Sequence, residues 1–153
     1  MSYLLIKWVH IVSSTILFGA GIGSAFYLFM ANRRNKIEEI CFATRTIVLA
    51  DYIFTVPAVI IQLVTGLLLV NLGGYDYRET WIAGGLILYV FAGLCWLPVV
   101  WFQIQMRAMA ECALEKREPL PNRYWKLNNW WIFLGSLAFP VILVVFYLMV
   151  FKI

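Results

Sequence analysis

The chain has a single histidine, His10, set in an apolar stretch, and a single acidic residue, Asp51, inside a second such stretch. An imidazole removed from water either ligates a metal or haem iron, passes a proton, or sits neutral against a hydroxyl or carbonyl. Lys7 stands three residues before His10, so on a helix the two share a face about one turn apart. Two readings of Lys7 follow. It contacts an anionic group at the rim of a site while His10 ligates something deeper, or it extends its ammonium back to the water interface.

Counting inward along neighbouring apolar stretches, Gln62, Thr65, Gly66 and Tyr89 fall at the depth of His10. Gly66 leaves space beside the ring for a flat macrocycle or quinone, with Gln62, Thr65 and Tyr89 as hydrogen-bond partners, although such residues also bridge helices without any ligand. With no second histidine, a haem here is five-coordinate, takes another ligand type, or is shared by two chains about a two-fold axis. Met1 and Met149 are not obviously placed to supply the missing ligand. Asp51, with Arg45 and Arg107 at similar depth, reads as a structural ion pair or as part of a proton relay. A Walker-type glycine loop is absent, and one histidine without neighbouring carboxylates builds neither a zinc hydrolase site nor a serine triad.

The elements that must position these residues are membrane spans. Of the residues 63% are hydrophobic and 13% charged, with mean hydropathy +0.85, against about a quarter charged in an ordinary soluble domain. A bilayer core takes about 20 apolar residues to cross as a helix. Four segments meet that length, 3–30, 48–72, 81–106 and 130–151, which predicts an all-α four-helix transmembrane bundle with no room for a second domain. The first apolar run is too long for a secretory signal and is expected to remain as a helix.

Lys and Arg number four in the 31–47 connection, one in 73–80 and five in 107–129. The positive-inside rule therefore puts the first and third connections in the cytoplasm and both termini outside. This distribution expresses topology and excludes a nucleic-acid surface. Tyr3, Trp8, Tyr75, Tyr77 and Trp81 mark the outer interface; Tyr124, Trp125, Trp130 and Trp131 mark the inner one. The third helix is expected to continue past the bilayer until Pro119 stops it. Gly19, Gly21 and Gly23, and Gly84, Gly85 and Gly93, give small-residue packing faces. Pro57, Pro98 and Pro140 predict irregular helices with freed carbonyls. Cys41, Cys95 and Cys112, without pairing spacing, read as reduced thiols.

The chain resembles the bacterial integral membrane family known as domain of unknown function 2269. The stretches that carry the likeness are Lys7-Trp8-Val9-His10 and Phe18-Gly19-Ala20-Gly21, then Asp51 to Ala58 with Gln62, Thr65 and Gly66. Trp96 to Trp101 with Gln103, and Leu148-Met149-Val150, complete it. It covers nearly the whole chain, implies a bacterial inner-membrane location, and brings no activity with it. Lys7, His10 and the Phe18-Gly19 pair also resemble, more distantly, the four-helix membrane protoporphyrinogen oxidases and copper-resistance D proteins. In those oxidases the first-helix histidine is linked to haem, a role His10 would match, but further histidines and the rest of their polar pattern are missing here.

Three functions are open on these residues. The first is a haem-b or related redox-cofactor protein using His10, Lys7 and the space at Gly66. The second is a non-enzymatic accessory or assembly subunit, as a homodimer or in a larger membrane complex. The third is a small permease or copper-handling protein using His10 and Asp51.

Overall fold

Backbone amides in hydrocarbon must find partners within their own segment, so long apolar stretches become helices. The computed structural model describes residues 2–153. Five α-helices run α1 (Ser2–Arg34), α2 (Ile37–Ala50), α3 (Val56–Gly73), α4 (Thr80–Lys116) and α5 (Asn122–Phe151). A π-helical turn, Asp51–Thr55, joins α2 to α3 without interruption. The four resulting rods, of 33, 37, 37 and 30 residues, are each long and apolar enough to cross a membrane. At about 1.5 Å per residue they exceed the ~30 Å hydrocarbon core and reach past it. Ile87, Leu94 and Val150 are 68%, 63% and 74% exposed, a surface that lipid tolerates and water does not.

Two connections expected to be loops are largely helical. In 31–47 only Asn35 and Lys36 break the helix, with Asn35 in the left-handed conformation that asparagine accepts. In 107–129 only 117–121 is non-helical, because α4 continues to Lys116 as expected but α5 starts eight residues earlier than its apolar run. The reason is amphipathicity. Ile40, Cys41, Ala43, Thr44, Ile47 and Val48 of α2 bury one stripe, and Tyr124, Asn128 and Trp131 of α5 bury another, leaving the charges outside.

The π turn of the second rod accommodates Pro57. Proline lacks the N–H that closes a regular helical turn. Immediately before it the Val56 N–H reaches back five residues to the Asp51 carbonyl, and the wider turn absorbs the irregularity. Pro98 and Pro140 lie inside unbroken helices.

Packing differs between the two ends. At the end bearing the basic connections, Leu28, Ala31, Ile40, Ala43, Ile47, Met106, Ala110, Tyr124 and Trp131 form one core drawn from α1, α2, α4 and α5. At the opposite end the rods pair off, α1 on α3 and α4 on α5, while α3 and α4 scarcely touch. Phe18 stacks on Phe139 at 5.0 Å and meets Phe146 at 5.5 Å, tying α1 to α5. The glycine faces divide the same way. Gly84 packs against Leu148, and Gly85 against Met149, whereas Gly19, Gly21, Gly23 and Gly93 have nothing within 4 Å of a built Cβ. At the tip of the α3–α4 connection, Gly74 takes φ 68°, which closes α3, and the Tyr75 N–H bonds back to the Val70 carbonyl at 3.1 Å.

Candidate functional site

His10 lies half-buried on α1, facing α3, and both of its ring nitrogens are engaged. Nδ1 is 2.8 Å from Thr65 Oγ1 and Nε2 is 2.9 Å from Gln62 Nε2. The hydroxyl of Thr65 donates to the Ile61 carbonyl, so it accepts from the imidazole. Nδ1 therefore bears the proton and Nε2 accepts from the Gln62 amide. The Gln62 oxygen in turn accepts from Ser13, whose hydroxyl also has the His10 carbonyl within reach at 2.9 Å. Ser13, Gln62, His10 and Thr65 thus form one neutral chain of donors and acceptors that fastens α1 to α3.

The space at Gly66 is used by the histidine itself. A Cβ built there would stand 3.3 Å from His10 Cε1, so glycine at this position lets the imidazole lie flat on α3. The imidazole itself occupies that space, and iron at Nε2 would have to take the place of the Gln62 amide. Among the described residues no three His, Cys, Asp or Glu side chains gather as a metal site.

Lys7, one turn before His10, is exposed. Tyr89, expected beside His10, donates instead to the Val59 carbonyl at 2.8 Å and bridges α4 to α3. Of the predicted set, the fold brings together His10, Gln62, Thr65 and Gly66. Ser13 was missed, although its place three residues after His10 on the same face was a signal for it.

Asp51 differs from its expected pairing. Arg45 and Arg107 both donate to Glu111, at 2.6 and 3.0 Å. Glu111 lies four residues after Arg107, one helical turn away, and outcompetes a carboxylate buried in the bundle. Asp51 sits on the π turn and accepts from Thr55 at 2.7 Å through Oδ1. Its Oδ2 and the Oε1 of Gln103 on α4 have no donor among the described residues, and both side chains are more than nine-tenths buried. They line one small cavity of about 10 Å³ with Val48, Tyr52, Val56, Val100 and Ile104, near the lower limit for a single water.

At the open end of the bundle, Lys152 donates to the Tyr75 hydroxyl at 3.0 Å and lies over the Tyr75 and Trp81 rings at 4.9 and 5.4 Å. The contact raises the Lys152 ammonium above its ordinary range and lowers the Tyr75 phenol.

No curated protein and no solved structure matches the chain. The sequence profile of one family does, over residues 4–153, and its description agrees with the four apolar rods. The chain is an integral membrane protein and belongs to the family described as predicted integral membrane protein, domain of unknown function 2269.

Proposed function

We propose that this protein is a small permease that passes protons across its membrane along the inward face of the second rod. The observation that carries the reading is a single register. Asp51, Thr55, Ala58 and Thr65 are all buried, Gln62 is half-buried, and their spacing of three or four residues keeps them on one face. From Asp51 to Thr65 this face covers about 21 Å of a ~30 Å core. His10 and Ser13 of α1 meet it at one end, and Gln103 of α4 meets it at the other. Ionisable groups inside a span are costly and mark transfer paths more often than packing.

The histidine chain has the parts to accept a proton. A proton arriving at Nε2 turns that atom from acceptor to donor, and a half-turn of the Gln62 amide presents its oxygen instead. The amide nitrogen then faces Ser13 Oγ, and the Ser13 hydroxyl rotates to the His10 carbonyl already 2.9 Å away. Every partner of the charged ring is therefore in place before the proton arrives. Between Thr55 and Gln62 the face carries only Ala58, so the path is closed at rest. The π turn and Pro57 lie where the rod would flex to open it.

Protein reconstituted into liposomes with an internal pH dye should dissipate an imposed proton gradient, and His10→Ala and Asp51→Asn should each abolish the flux. Leakage equal to that of protein-free liposomes, or unchanged in both variants, would remove the proposal. An absorption spectrum separates the redox reading of the same histidine. A Soret band lost in His10→Ala would place iron where Gln62 now donates and displace the proton reading.

A further inference from the structure

Away from the polar face of the second rod, the basic end carries a groove between α1 and α5 of about 270 Å³. That is slightly below the ~300–1,000 Å³ of small-ligand sites. Its chemistry is one-sided. Tyr124 donates to the Asn32 oxygen at 2.7 Å, and the Asn32 amide donates to the Asn128 oxygen at 2.8 Å, so both amide oxygens in the groove are already used. The residues that line it also carry donors: the Arg33 guanidinium, the Asn128 amide nitrogen, and the indoles of Trp125 and Trp131. Trp131 is 7% exposed, and its N–H has no acceptor among the described residues. No carboxylate lines the groove, and Phe29 and Ile132 complete it with hydrocarbon.

A buried donor without an acceptor is costly, and a wall of donors beside a guanidinium matches a phosphate. We infer that this groove holds the phosphate of an anionic phospholipid, with Arg33 and Asn128 at the headgroup, and Phe29 and Ile132 along the start of an acyl chain. The apolar walls favour a lipid over a free anion. So does the position of the groove, at the end where nine of the twelve basic residues lie and where an anionic leaflet would meet it. The site shares no residue with the proposed proton path, so either can fail alone.

The test titrates detergent-purified protein with phosphatidylglycerol, phosphatidylcholine and inorganic phosphate, counting bound species by native mass spectrometry. Phosphatidylglycerol should bind about tenfold more tightly than phosphatidylcholine, because both carry the phosphate but only phosphatidylcholine brings a cationic headgroup up to the Arg33 guanidinium. Arg33→Gln changes an exposed side chain, and Trp131→Phe deletes the N–H together with the five-membered ring of the indole. Arg33→Gln should remove most of that preference with an unchanged melting temperature, and Trp131→Phe should weaken the binding of both lipids, at some cost in melting temperature because Trp131 is part of the core. Equal binding of the two lipids, a preference that survives Arg33→Gln, or affinities unmoved by Trp131→Phe would overturn the inference. Inorganic phosphate competing as well as the lipid would overturn the lipid assignment in favour of a free-anion site.

Discussion

The two ends of the bundle each hold a hydrogen-bonded chain of side chains between helices, yet they are built from different chemistry. At the basic end, Tyr124 of the tight core joins Asn32 and Asn128 on the groove wall and links α5 to α1. Phenol and amides do not change charge near neutral pH, and such a chain fixes two helices in one arrangement. At the opposite end, Ser13, Gln62, His10 and Thr65 link α1 to α3 where the rods have parted into pairs. This chain has an imidazole at its centre and an amide that can turn. A rigid half holding a looser half with a titratable group is the division of labour expected of a membrane protein that moves something small.

Substitutions at the two ends should separate these roles. The largest loss of stability is expected at Tyr124, which is fully buried. Tyr124→Ala should cost roughly 3–5 kcal/mol, as other large aromatic truncations do, seen as a sharply lower melting temperature in detergent. Tyr124→Phe should cost about 1–3 kcal/mol, the penalty of an orphaned Asn32 oxygen. At the other end, Gln62→Leu should cost only about 0.6–2 kcal/mol, in the range of interhelical hydrogen bonds in membranes, while stopping proton flux. If Gln62→Leu proved as damaging to melting as Tyr124→Ala, the opposite end would be a structural lock as well. Gly66→Ala should push the imidazole a few tenths of an ångström from α3, changing the His10 ring nitrogen resonances with under about 1 kcal/mol of destabilisation.

The smallest effect concerns the Lys152 anchor on Tyr75. Because the ammonium is held above its ordinary range, its contribution is complete below the unfolded lysine value. It fades only as pH rises through the higher folded one. The lowered Tyr75 phenol ionises before that point and strengthens the contact over the intervening window. Tyrosine absorbance against pH should show an early-ionising phenol that Lys152→Gln moves back towards its ordinary range, the Tyr3 contact remaining.

The four spans were legible because hydrocarbon thickness imposes a length that composition reveals directly. The starts of α2 and α5 were not. Their first turns carry Glu38, Glu39, Arg123 and Lys126, and only the buried stripe opposite shows that they are helical. Depth counting brought Gln62, Thr65 and Gly66 to His10 correctly, since depth along a rod follows from residue number. It failed for Tyr89 and for Asp51 with its arginines, because number alone does not say towards which neighbour a side chain points. Glu111, one turn beyond Arg107, was the available clue.

The widened turn at Asp51–Thr55 sets the angular phase of everything beyond it. Winding these same residues as an ordinary α-helix, with none removed, would swing the far half of the rod by about 100°. Gln62 and Thr65 would be carried away from His10 towards the acyl chains, without a single change to the residues of the site. Five residues near one face of the membrane thus decide whether an imidazole near the other has any partners at all.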